Sequence, residues 1–458
     1  MKFTSRPIEE HSEVPLADDG RWEEIVAQWQ RREPGQTASG PEPNACYVVA
    51  VTIGRRPTND ARLEEIVSLV LAQGDHVVGR EHHAIARPNP RMLLGVGNAG
   101  TLGERAIAEG ATMLVIDAAL SPSQTRNLED ATGLAVCDRE AVILNVFHRH
   151  ARTRRARIQV EIAQLEYLRP RIRGIGLEMD QQAGGVIGAR GAGETASELF
   201  ARRLDGRLAV LRKAGKRLEG LAATQRKQRT GCKRIALVGY TNAGKTSLMN
   251  ALTSAGLSAA DRLFETLDAT SRALSRHGGD VLISDTVGFI RELPERLLSS
   301  FESTLEEIKE ASLIAIVVDA ADPDSVLHVR TTEDVLERLG AGRIPRLYVF
   351  NKVDVLAQPL SREDRAEIAR GQASVMVSAR SSTDVERLRE MLLKLVRSDE
   401  ARVKLLIPYS AGEAISMAYA RCRVIENESL AEGLLLTLEG QAATISKIKS
   451  LRAEEDQR

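Results

Sequence analysis

Short runs of aliphatic and β-branched residues alternate with stretches whose apolar positions recur every three or four residues. Between residues 45 and 147 the runs at 47–51, 76–78, 113–116 and 135–136 read as strands. Residues 61–72, with Leu63, Ile66, Leu69 and Val70 on one face, read as a helix, and a further helix starts at Arg139. Strands separated by helices imply a small parallel α/β domain. The period then lengthens. Residues 149–169 carry Ile158, Ile162, Leu165 and Leu168 on one stripe and stop before Pro170; residues 194–226 carry Leu204, Leu208, Leu211 and Leu218. Two such helices predict an antiparallel coiled-coil hairpin over 148–230. Its connecting loop, 173–193, is rich in glycine and too poor in apolar residues to fold alone.

A second β/α alternation runs over 231–398, with apolar runs at 235–238, 281–284, 313–318, 347–350 and 375–377 and an amphipathic helix at 293–311. The last stretch, 400–458, predicts a strand at 403–407, a helix at 411–420, a strand at 433–438 and a polar tail from 452. Residues 1–44 are polar apart from a short helical segment at 22–30 and read as a disordered extension. The fold class is therefore α/β, built in several parts, which 458 residues can accommodate.

Formal net charge is zero, but its distribution is uneven. Residues 148–234 hold 21 lysines and arginines against 8 acids, a candidate anion-binding surface on the hairpin and its glycine loop. This points to RNA, with Arg152, Arg154, Arg155, Arg173 and Arg190 as candidate contacts. Four scattered cysteines suit a reduced compartment. No run reaches transmembrane length and the N-terminus is too charged for a signal peptide, so the expectation is a cytoplasmic protein. A monomer is expected.

The chemistry sits at the ends of the second set of strands. The run 235–238 leads into Gly239, Tyr240, Thr241, Asn242, Ala243, Gly244, Lys245 and Thr246, in the strand, glycine loop, helix order of a phosphate loop. Glycines let backbone N–H groups turn toward phosphate oxygens, and the helix N-terminus adds positive potential. Lys245 would reach the β- and γ-phosphates, and the Thr246 hydroxyl would ligate Mg²⁺. Asp285, Thr286, Val287 and Gly288 follow the next strand; Asp285 would hold Mg²⁺ through water and Gly288 sense the γ-phosphate. Asn351, Lys352, Val353 and Asp354 follow another, where the Asp354 carboxylate can accept two hydrogen bonds from guanine and none of that pattern from adenine. Ser378, Ala379 and Arg380 would meet the guanine oxygen. Four motifs in this order, at the strand ends where open α/β sheets bind ligands, define a site for GTP and GDP.

A fifth glycine pattern, Gly95-Val96-Gly97-Asn98-Ala99-Gly100, matches a dinucleotide fingerprint. The preceding run, 92–94, is too short for the strand such a site needs, so a tight structural glycine turn is expected.

The stretches LSPSQTRNLE (120–129), ARTRRARIQVEIAQLEYLRPRIRG (151–174), RGAGE (190–194), DTVGFIRELP (285–294) and VKLLIPYSAGE (403–413) together resemble the HflX family of ribosome-associated GTPases. The resemblance implies a small N-terminal α/β domain with the hairpin, a Ras-like P-loop GTPase domain and a small C-terminal α/β domain. It implies binding to the large ribosomal subunit and its rRNA, the glycine loop near the peptidyl-transferase region, and splitting or rescue of stalled ribosomes. By the same resemblance Phe264, Glu265, Thr266, Leu267 and Asp268 match the first switch, and Thr246 and Thr266 the magnesium ligands. Lys245, Thr266 and Gly288 would then carry hydrolysis. The chain departs from the family pattern at Gly184-Gly185-Val186-Ile187-Gly188, at Glu194-Thr195-Ala196-Ser197-Glu198 and at Gly95-Val96-Gly97-Asn98.

Phe289 follows Gly288, where a water-orienting glutamine would sit. Slow intrinsic hydrolysis is expected, with K⁺ at Asn242 a candidate activator. Two alternatives stay open on the residues: a weakly hydrolysing RNA-binding scaffold, and a GTPase serving another RNA machine such as tRNA modification.

Overall fold

The computed structural model describes residues 43–54, 60–171, 196–228, 232–253, 264, 270–274, 281–300, 302–358, 360–398 and 400–455. Residues 1–42 of the predicted extension, the glycine loop with Arg173 and Arg190, and Glu265, Thr266, Leu267 and Asp268 lie outside the described residues. The chain forms two compact units that divide after Arg139.

The first unit is a parallel sheet of β1 (Ala45–Ile53), β2 (His76–Ile85), β3 (Met113–Asp117) and β4 (Ala135–Asp138), in the order β2-β1-β3-β4. Helices α1 (Asp60–Gln73), α2 (Val96–Ala108) and α3 (Pro122–Thr132) make its crossovers. Val49, Leu94, Leu102, Leu114 and Leu128 form its core. A capping box between Ser121 and Gln124 starts α3, and Gly133 in the left-handed region ends it. The glycine pattern at 95–100 departs from expectation. Gly95 caps α2 with φ −67°, and the residues after it are already helical. The sharp turn comes earlier, at Leu93 (φ 63°), whose N–H and C=O both pair with Asn89. A side chain at Gly95, Gly97 or Gly100 would meet open space, so no steric need holds glycine there.

Helix α4 (Arg139–His150) leads into the second unit and is followed by α5 (Arg154–Leu168) and α6 (Ala196–Gln228). The sequence pattern reads 149–169 as one helix. The chain instead breaks at 151–153, because the Thr153 hydroxyl accepts the Ala156 N–H and caps a new helix. Helices α5 and α6 form the antiparallel pair, burying Ile158, Leu165, Leu204, Leu208 and Leu211. Arg207 pairs with Glu161 and Arg212 with Glu166, each at 2.7 Å, across its flank. Arg152 and Arg154 are exposed and Arg155 is half-buried.

The largest sheet has the order β10-β9-β8-β5-β7-β6: β5 (Lys233–Gly239), β6 (Thr270–Ala273), β7 (Val281–Asp285), β8 (Leu313–Asp319), β9 (Arg346–Asn351) and β10 (Ser374–Met376). All pairs are parallel except β6 with β7. Its helices are α7 (Lys245–Thr253), α8 (Glu295–Ser300), α9 (Glu302–Lys309), α10 (Ser325–Arg338), α11 (Arg362–Ile368) and α12 (Ser382–Val396). Leu237, Ile283, Ala315 and Val349 pack against Leu248, Leu388 and Leu392 of the flanking helices. Within the predicted helix at 293–311, residues 295–300 and 302–309 are helical.

The third sheet is antiparallel, ordered β11-β13-β12, with β11 (Glu400–Ile407), β12 (Arg423–Leu430) and β13 (Gly433–Gln441) beside α13 (Gly412–Arg421) and α14 (Ala442–Glu455). The sequence reading lacks β6, β12 and α14. Strand β12 is exposed along nearly its whole length and carries no apolar alternation, so only its pairing with β13 makes it a strand.

Candidate nucleotide site

Chain order reverses at β5, which lies between β7 and β8, and a crevice at the carboxyl ends of these strands is where such sheets take ligands. The loops after β5, β7, β9 and β10 converge there. The loop after β5 turns on positions only particular residues tolerate. Gly239 has φ 152°, and a Cβ on it would lie 2.3 Å from the Val317 carbonyl oxygen of β8. Asn242 has φ 60°; Gly244 has φ 86°, and its Cβ would strike the Asn351 side-chain nitrogen at 2.2 Å.

Lys245 is the first residue of α7 and is buried. Its ammonium donates to the carbonyls of Gly239 (3.2 Å) and Tyr240 (2.8 Å). Burial pushes its pKa down to about 8, against the pull of the Asp285 carboxylate. The Thr246 hydroxyl donates to Asp285 Oδ2 at 2.7 Å. Its proton so committed, the Thr246 oxygen keeps lone pairs for a cation beside a wholly buried carboxylate. This hard oxygen donor set fits Mg²⁺.

Gly288 is pressed against Thr241 and Lys245: a Cβ there would sit 2.9 Å from Thr241 Cγ2 and 3.1 Å from Lys245 Nζ. Phe289, read from the sequence as a missing glutamine, is fully buried. Its N–H donates to Gly239 O (3.0 Å) and its carbonyl accepts from Thr241 N–H (2.8 Å), so it ties the β7 loop to the phosphate loop. The Tyr240 hydroxyl accepts the Arg291 N–H at 3.0 Å, and its ring stacks on His328 of α10 at 3.6 Å. Nothing in the spacing of either residue marks this Tyr240–His328 stack, which only the packing of α10 against the loop brings about. Val287 is buried, and Thr286 donates to the Leu237 carbonyl.

On the other side, Asn351 is a clamp. Its amide donates to Ala243 O (3.0 Å) and accepts from Ala379 N–H (3.2 Å), joining the first and last loops. Lys352, at φ 62°, pairs with Asp319 at 2.7 Å. Asp354 follows Val353 in a short 3₁₀ turn, Val353–Val355. The Ser378 hydroxyl donates to it at 2.7 Å and Arg380 lies at 3.4 Å; chiefly that hydroxyl bond holds the carboxylate below its usual range. Phe264, the one described position of the expected first switch, is buried with its ring edge-on to Phe147.

A six-stranded, mostly parallel sheet with a phosphate loop, an acidic loop and two base-side loops at one end defines a P-loop GTPase. Comparison with known proteins narrows this. Residues 60–148 match the family described as GTP-binding GTPase N-terminal, 150–229 the GTP-binding GTPase Middle Region, and 234–352 the 50S ribosome-binding GTPase. GTPase HflX of Spirochaeta thermophila is 37% identical over 403 residues, covering 87% of this chain and 97% of that one. GTPase HflX of Escherichia coli is 36% identical over 373 residues, 81% and 87% of the two chains. The chain belongs to the HflX family and is a GTPase. Among solved structures, a GTP-binding protein from Sulfolobus solfataricus in complex with GDP is 21% identical with a TM-score of 0.42, covering 77% of this chain and 99% of that one.

Proposed function

We propose that this GTPase is a nucleotide switch acting on the large ribosomal subunit, where it splits or rescues stalled ribosomes. The observation that carries the reading is the antiparallel hairpin with exposed Arg152 and Arg154, in the same compact unit as the nucleotide site. A family that this chain matches at 234–352 is described as 50S ribosome-binding. The hairpin and the glycine loop meet rRNA, with Arg152, Arg154, Arg155, Arg173 and Arg190 as contacts, and their affinity falls steeply with salt.

At the nucleotide, the loop 239–246 wraps the phosphates and Lys245 neutralises charge on the β- and γ-phosphates as it develops. Thr246 and Thr266 would hold Mg²⁺, with the Asp285 carboxylate in support through water. Gly288 offers its N–H to the γ-phosphate, and Asp354 reads guanine while Ala379 and Arg380 line its oxygen edge. Magnesium supplies charge neutralisation there. The γ-phosphate orders Thr266 and the segment 285–294, and hydrolysis releases them.

The protein is expected to pellet with large ribosomal subunits more strongly with a non-hydrolysable GTP analogue than with GDP or no nucleotide. Equal pelleting in all three states would favour a scaffold, and none would remove the ribosomal reading. The buried Phe289 side chain has no group that hydrogen-bonds water, so free turnover should be slow. Potassium at Asn242 is the activator proposed for that gap: steady-state hydrolysis should rise in K⁺ relative to Na⁺ buffer. Equal rates, free and ribosome-bound, would remove the cation.

A further inference from the structure

Helix α4 touches Phe264, in the stretch expected to form the first switch, and α8, the helix that follows the 285–294 segment. At the start of α4, Glu140 pairs with Arg296 of α8 at 3.3 Å. Near its end, the Phe147 ring meets Phe264 with centroids 4.6 Å apart and planes at 70°, the edge-to-face arrangement aromatic pairs favour. Both rings are almost wholly buried. Phe264 has φ 57°, a conformation that a bulky residue keeps only where its surroundings over-determine it. The Phe147 ring is part of those surroundings. In the sequence Thr266, to which the reading above gives a magnesium-holding role, follows Phe264 by two residues. The same helix runs on, through the break at 151–153, into α5 of the basic hairpin, and α5 itself packs on α8.

We propose that Phe147 is a positioning residue for GTP hydrolysis, and that α4 is the strut through which RNA bound on the hairpin acts on both switches. This rests on the roles given above to Thr266 and to rRNA. Neither ring touches nucleotide in the proposal; Phe147 acts by holding Phe264.

The test uses the full chain as wild type, Phe147→Leu, Phe264→Leu and the double variant. Leucine keeps apolar volume and loses the ring edge. Single-turnover hydrolysis should fall about three- to tenfold in each single variant, the loss expected of an aromatic pair. The double variant should be no slower than either single one, because both remove the same contact. GDP affinity should stay within about twofold of wild type, and the stimulation by large ribosomal subunits should drop with the rate. Unchanged hydrolysis and stimulation in Phe147→Leu, or losses that multiply in the double variant, would overturn the inference. If Phe147→Leu fails to fold, Phe264→Leu and Glu140→Gln put the same question from the other ends of the contacts. A wild-type protein that large subunits do not stimulate would instead sink the ribosomal reading, and the rate comparison among the free proteins would still decide the role of Phe147.

Discussion

Lys245→Met is expected to lower GTP hydrolysis by about 10²–10³-fold, the scale on which buried electrostatic stabilisers of a transition state act. The reason lies in where the ammonium sits. It is buried, held by the Gly239 and Tyr240 carbonyls, and beside Gly288. No water can replace it cheaply as charge moves onto the leaving phosphate oxygen. The same burial makes a second, independent reading possible. The folded, nucleotide-free protein holds this lysine at a pKa of about 8, whereas its ordinary value is 10.5. Between those two values the unfolded chain carries the proton and the folded chain has released it. Unfolding therefore takes up a proton there, and this group's contribution to stability increases as pH rises from about 8 to 10.5. The full increase is on the order of 3 kcal/mol. Below pH 8 the penalty of burying the charge is present in full. Cys46 and Tyr47, whose pKa values burial raises, titrate with the opposite sign, so the difference between wild type and Lys245→Met isolates the lysine. Denaturant unfolding at a series of pH values from 7 upward should show wild type gaining on the variant. Parallel pH profiles would mean that the ammonium is not desolvated in solution.

Asp354→Asn is expected to exchange guanine for xanthine specificity. An ionised carboxylate accepts both donors on the guanine edge, and two charge-assisted hydrogen bonds are worth about 3–6 kcal/mol together, a factor of roughly 10²–10⁴ in affinity. Asparagine offers one acceptor and one donor, which matches xanthine, where a carbonyl replaces the amino group. The pocket should survive the change. The Ser378 hydroxyl that donates to Asp354 can donate equally to an amide oxygen, and Arg380 is exposed, so losing its 3.4 Å partner costs little. Competition binding with GDP and XDP reads the outcome. Retained guanine preference in the variant would show that Asp354 does not meet the base.

Much of the site could be read along the chain because its requirements are local. Gly239 and Gly244 must be glycine for backbone angles and close contacts that any P-loop imposes, and Lys245 and Thr246 follow them by covalent spacing alone. The strands before them announce themselves by unbroken burial, as in β5 and β8. The family resemblance rested on such stretches, and the homologues agree with it. Elsewhere a local pattern misled. The glycines at 95–100 had the spacing of a turn but open a helix, since the left-handed residue is Leu93, which no propensity marks.

What the sequence determined by itself was the class of site, the order of its motifs and the helix or strand state of long periodic segments, because each depends on neighbours within a few residues. Only the tertiary structure decided which side chains hold the loops to one another. Asn351 belongs to a base-side motif, yet its amide spans 108 residues to clamp Ala243. Phe289 counted as a missing catalytic group and proved to be a buried tie between two loops. Phe264 counted as part of the first switch, and the sequence gives Phe147 no role. A buried ring carries no mark of its partner, so contacts between distant segments are settled by packing in three dimensions rather than by anything written beside them.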